Sequence, residues 1–257
     1  MVFAKNQRLT LSSSLARNSS VLLVTALLAL AGCAPRQLAP VPAVPAIPAA
    51  PAIADHDSAA FYDKLRAAGQ TVLTVDSAHS LIAITVRKSG ALARLGHDHV
   101  IASRTLAGAV APQQGRADLH FRLDALTVDE TALRAEAGLD TQPSADAIAG
   151  TRHNMLTKAL DAERYPDVTI RIARRAGAAD NGTATPMDAA ITLHGVTRRY
   201  AVPVTVVAAD GALTASGAFE IRQSDFGIEP FSVMGGALGV HDTLALRFTI
   251  RAAQQTI

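Results

Sequence analysis

The segment Gly96-His97-Asp98-His99 places two imidazoles one residue apart. On an extended backbone, residues two apart project to the same side. His97 and His99 could therefore share a ligand, and a third nitrogen from His79, His153 or His241 would complete a Zn-type or Cu-type site. The metal alternative is carried by His97, His99 and His153. Two blander chemistries compete with it: a polar rim in which His97 and His99 meet a ligand headgroup, and a plain loop or strand pairing. The polar rim is preferred, with no metal. Nucleophilic catalysis has little support. Asp76, His79 and Ser80 are close in number, but neighbouring strand residues face opposite ways, so His79 and Ser80 do not by themselves present a triad. The chain has no G-x-S-x-G, H-E-x-x-H, P-loop or dinucleotide fingerprint. Gly235-Gly236 reads as a turn, and Asp161 with Glu163 as a solvated helix end. These residues predict neither an enzyme nor a resident cofactor.

The remaining reactive side chain is Cys33, the single cysteine of 257 residues, which excludes an intrachain disulfide and a cysteine metal cluster. It closes the string Leu30-Ala31-Gly32-Cys33 after an apolar run over residues 21–31, itself preceded by Lys5, Arg8 and Arg17. A run of roughly 11 apolar residues is well short of the ~20 that span a bilayer as a helix, so residues 1–32 read as a signal peptide. The string resembles the lipobox of bacterial lipoproteins, in which the cysteine thiol is alkylated by diacylglycerol and becomes the acylated first residue. An ordinary cleaved signal with an incidental cysteine is the alternative. Two or more acyl chains give stable anchoring, and Ala34 in place of an aspartate points, by resemblance to Gram-negative sorting, to the outer membrane facing the periplasm. Residues 33–54 then form the stalk. Pro35, Pro40, Pro42, Pro45, Pro48 and Pro51 hold it extended at about 3.1 Å per residue, or roughly 60 Å in all.

Composition narrows the rest. The chain is 49% hydrophobic and 18% charged, which is globular. Its formal charge is +2, but without the three basic residues ahead of Cys33 there remain 21 basic against 22 acidic residues, so no nucleic-acid partner is expected. With no Trp and 4% aromatics, aromatic cages and base-stacking platforms are disfavoured, and any cavity must be walled mainly by aliphatic side chains.

The elements that position these residues are mostly strands. Residues 55–70 could form a short amphipathic lead-in helix with Phe61, Leu65 and Ala68 on one side. Period-two alternation follows: Ile82, Ile84 and Val86; Ala117, Leu119, Phe121 and Leu123; Leu244, Leu246, Phe248 and Ile250. Turn signals at Gly90, Gly115, Gly182, Gly195 and Asp210-Gly211 give antiparallel spacing, and Asn181-Gly182-Thr183 reads as a hairpin turn. Another hairpin is predicted around Gly195, with Ile191 and Leu193 before it and Tyr200, Val202, Val204 and Val206 after it. One helix is expected over residues 144–163, stopped by Pro166. The fold class is all-β dominated: about eight antiparallel strands over residues 71–257 with one long helical connection, able to close into a barrel. Periodicity alone favours a packed core over a hollow one.

Several motifs occur in an order that resembles the YceI-like family of periplasmic lipid-binding proteins. Thr74-Val75-Asp76-Ser77-Ala78-His79-Ser80 is similar to its first strand, and Leu160-Asp161-Ala162-Glu163-Arg164-Tyr165-Pro166 to its long connection. Ile191-Thr192-Leu193-His194-Gly195-Val196-Thr197 is similar to its central hairpin, and Ser224-Asp225-Phe226-Gly227 followed by Gly235-Gly236 to its C-terminal signature. The resemblance spans roughly residues 71–252 and departs from the family at the histidine-rich segment 96–99. It implies a lipocalin-like barrel whose apolar channel holds an isoprenoid-type lipid, such as an isoprenoid quinone or its precursor. The tail is expected against Ile82, Ile84, Val86, Leu119, Phe121, Leu123, Leu246 and Phe248. The implied protein is a carrier tethered through Cys33, and pairing of two barrels into a homodimer is left open.

Overall fold

The computed structural model describes residues 56–175, 177 and 184–254. Cys33, the expected signal peptide and stalk, and the turn at Asn181-Gly182-Thr183 lie outside the described residues.

Helix α1 (His56–Ala67) precedes the strands β1 (Leu73–Val86), β2 (Lys88–Ser89), β3 (His99–Ser103), β4 (Ala107–Ala111), β5 (Arg116–Arg122) and β6 (Thr127–Val128). Helices α2 (Thr131–Glu136) and α3 (Ala145–Asn154) come next. The remaining strands are β7 (Asp167–Arg174), β8 (Thr185–Leu193), β9 (Val196–Ala209), β10 (Ala212–Arg222), β11 (Ser232–Val233), β12 (Leu238–Val240) and β13 (Thr243–Ala253). Every ladder is antiparallel, and the order β4-β5-β7-β8-β9-β10-β13 closes through β1, which pairs with both β13 and β4. Closure satisfies the edge hydrogen bonds that an open sheet would leave exposed.

Local chemistry explains the joints. The two-residue turns His194-Gly195 and Asp210-Gly211 have positive φ throughout (52° and 73°; 51° and 72°), the twist that lets strands β8–β9 and β9–β10 pair back without splaying. In β1 the register with β13 shifts between Asp76 and Leu81. Inside that bulge the Ser80 hydroxyl donates to the Asp76 carbonyl (2.7 Å) and accepts from the Arg251 N–H (3.0 Å), while His79 Nδ1 lies 2.7 Å from the Asp76 carboxylate. The hydroxyl thus repairs a broken ladder, and the three residues do not form a catalytic triad. Beyond the bulge β1 turns away from β4 and pairs instead with β3, which in turn pairs with β6; Leu133 of α2 packs with Ala83, Val100 and Ala102 in a small core on the face of β3 opposite Ile101.

Two helical expectations need correction. The helix predicted over 144–163 begins at a Ser144 cap that accepts from the Ala147 N–H, but it is α-helical only to Asn154 and continues as a π turn over Met155–Ala159. Asp161, at φ 42°, then reverses the chain five residues before Pro166 could stop it. A second helix, α2, interrupts the strands where none was expected. At six residues it is too short to show helical periodicity, and it is held by burial of Leu133 and Arg134.

Candidate functional site

The inward faces of the barrel strands do not meet. They surround a cavity of about 490 Å³, within the usual range of small-molecule sites. Ile82, Ile84 and Val86 of β1, Leu119 and Phe121 of β5, Leu123 in the turn that follows, and Leu246 and Phe248 of β13 all line it. So do Ile170 and Ile172 of β7, Ile191 of β8, Val202 and Val204 of β9 and Phe219 of β10, which carry the same alternation and could have been named from it. The hollow follows from residue size. Ala117, Ala189 and Ala215 face the interior where larger side chains would cross it. At Gly217 a Cβ would come within 2.4 Å of the Pro203 carbonyl oxygen and 2.8 Å of the Phe248 ring, so the missing side chain lets both lie close against the β10 backbone.

The cavity runs the length of the barrel. At one end its lining reaches Pro112, Arg174, Leu213 and Ala252; at the other it reaches His99, Gln223 and Phe231, under Thr151, Asn154 and Met155 of α3 and its π turn. Between these ends the walls are almost wholly aliphatic and aromatic.

The polar group that the strands themselves bring to the helix-covered end is His99. It opens β3 opposite Val86, on the same face as Ile101, and lines the cavity. Its Nδ1 is 2.6 Å from Oδ2 of Asp129, whose side chain is completely buried. The other Asp129 oxygen accepts from the Val100 N–H (3.0 Å) and from Arg134 Nη1 (2.6 Å). Arg134 is itself 1% exposed and also donates to the carbonyls of Asp98 and Thr141, each at 2.7 Å. Burial opposes the charge on Asp129, but hydrogen bonds from His99, the Val100 N–H and Arg134 outweigh it and hold the carboxyl below its usual range. Asp129 adopts φ 56°, a left-handed conformation costing about 1 kcal/mol for a non-glycine residue.

The other histidines fare differently. His97 is exposed, off the cavity lining, and meets His99 only edge-on at 6.4 Å between ring centroids. His153 is exposed on α3. Among the described residues no group of three His, Cys, Asp or Glu side chains is arranged to hold a metal, so the set His97, His99 and His153 is not assembled. The physical reason is that the His99 ring is turned inward by Asp129, thirty residues away in sequence, while His97 stays outside. The signal that sequence reasoning missed was Asp129 with Arg134, which carries no local motif.

A second charged cluster lies on the outer wall. Asp118 of β5 accepts from Arg116 (2.7 Å), Arg171 (2.7 Å) and the Tyr62 hydroxyl (2.8 Å). Burial works against its charge, yet these donors hold it below the usual carboxylate range; burial and donation to Asp118 both push the Tyr62 phenol up. With Tyr62 and Leu65 packed on Ala111, this cluster fixes α1 to the barrel wall.

Such a chain is, by its architecture, a lipocalin-like barrel around an internal apolar cavity. It belongs to the YceI-like domain family, whose family model matches residues 73–252. Solved structures that resemble it include two covered almost throughout their length. One is Burkholderia cenocepacia BcnA, 19% identical, with 70% of this chain and 99% of that chain covered at a TM-score of 0.51. The other is a polyisoprenoid binding domain from Saccharophagus degradans implicated in plant cell wall breakdown, 14% identical, covering 71% and 98% at 0.51. Among curated protein sequences none matches this chain.

Proposed function

We propose that this chain is a membrane-tethered periplasmic binding protein that sequesters or carries an isoprenoid-type lipid in its barrel. The observation that carries the proposal is the 490 Å³ cavity with aliphatic walls along its length. Each methylene moved from water into such a space is worth about 0.8 kcal/mol, so a tail of several isoprene units would be held by its walls rather than by polar contacts. Ile82, Ile84, Val86, Leu119, Phe121, Leu123, Leu246 and Phe248 are the proposed tail contacts, and His99 the polar contact at the helix-covered end. The polyisoprenoid binding described for the Saccharophagus degradans domain supports the same ligand class. Acylation of Cys33, with a Pro-rich stalk behind it, would keep the carrier beside the outer membrane that supplies or receives the lipid.

Mass spectrometry of an organic extract of the purified mature protein tests the proposal. A stoichiometric isoprenoid lipid is expected, or uptake of added isoprenoid quinone by the emptied protein; an empty extract with no uptake overturns it. For the tether, Cys33→Ser is expected to move the protein from the membrane fraction to the soluble periplasmic fraction.

A further inference from the structure

We infer that His99 selects the ligand's headgroup, accepting a hydrogen bond through Nε2 from a hydroxyl at the end of the apolar tail. The inference rests on the lipid-carrier proposal and adds to it a headgroup class: hydroxyl-bearing isoprenoids, bound in preference to hydrocarbons of the same length.

Geometry fixes the role of Nδ1. Asp129 is a carboxylate, which can only accept, so Nδ1 of His99 must carry the proton that lies between them at 2.6 Å. In the neutral ring the lone pair is then on Nε2. That atom has no hydrogen-bond partner among the described residues, while the ring it belongs to lines the cavity. Asp129 cannot swing away to release the ring, since its second oxygen is held by the Val100 N–H and by Arg134, and Arg134 is in turn pinned to the carbonyls of Asp98 and Thr141. Tying α2 to the backbone at Asp98 and Thr141 explains the bonds that Arg134 makes there. It does not explain why the remaining Asp129 oxygen is given to an imidazole whose ring lines an apolar cavity. A hydrocarbon filling that end would strand the lone pair without a partner, whereas a hydroxyl would satisfy it and be oriented by it.

The test compares geranylgeraniol with the hydrocarbon of the same skeleton lacking the hydroxyl, bound to the delipidated mature protein. The native chain is expected to bind the alcohol roughly tenfold more tightly. His99→Gln, whose amide can donate to Asp129 and still present an oxygen, is expected to keep the preference. His99→Phe is expected to abolish it while still binding the hydrocarbon. A native chain that binds both probes equally, or a His99→Phe chain that still prefers the alcohol, overturns the inference and leaves the carrier proposal standing. Binding of neither probe overturns the carrier proposal itself. A measurement free of any variant is the ¹⁵N resonance of His99 Nε2 in the native protein. It is expected to shift on adding geranylgeraniol and to stay put with the hydrocarbon; no shift with the alcohol refutes the assignment.

Discussion

Replacing Arg134 with Met removes the positive charge from a pair whose side chains are 2% and 0% exposed. The methionine keeps much of the packing volume under α2, so the loss is electrostatic rather than a cavity. Asp129 would retain its bonds from His99 and the Val100 N–H, but its charge would be buried beside a thioether, and the carbonyls of Asp98 and Thr141 would lose their donor. Breaking a buried pair by removing one partner costs about 3–5 kcal/mol, chiefly because the remaining charge is uncompensated. For a domain of this size each kcal/mol lowers Tm by roughly 2–4 °C, so a fall of about 6–20 °C is expected by circular dichroism or calorimetry. Adding Asp129→Asn should recover part of the loss, because an amide is cheaper to leave half-satisfied than a carboxylate, and the two substitutions should couple by about 1 kcal/mol or more. A Tm within ~2 °C of the parent, or strict additivity in the double variant, would mean that Arg134 does not compensate the buried charge on Asp129.

Two further outcomes follow from the same geometry. Ala215→Phe projects a ring into the cavity from β10, and is expected to remove co-purifying lipid and lipid uptake while the barrel keeps its cooperative unfolding; undiminished uptake by the folded variant would mean that the tail lies elsewhere. Asp118 and Asp129 have folded-state values below those of an unfolded chain, so the stability they contribute is fully present above the unfolded value, near pH 4, and is lost as pH falls below it through the depressed folded values. The urea midpoint is therefore expected to drop steeply below about pH 4, and an Asp118→Asn, Asp129→Asn chain with the same acid slope as the parent would contradict this.

The strand faces were legible in the sequence because a pleated backbone alternates strictly. Once Leu119 and Phe121 point inward, His120 and Arg122 must point out, whatever the rest of the chain does. Turn chemistry was legible for the same local reason, His194-Gly195 and Asp210-Gly211 each supplying two residues able to adopt positive φ. What only the tertiary structure decided depends on groups far apart along the chain. Hollowness is a volume balance among inward residues of eight strands, where Ala117, Ala189 and Ala215 leave space that no single alternating run reveals. The fate of the histidine pair was set by Asp129 and Arg134, which turn His99 into the cavity and leave His97 outside, although spacing alone put both on one side. Helix α2 and the π turn after α3 escaped notice because each is shorter than the window in which helical periodicity can be seen, and both owe their shape to what they cover. Local periodicity thus determines which way a side chain faces, and only closure of the barrel determines what it finds there.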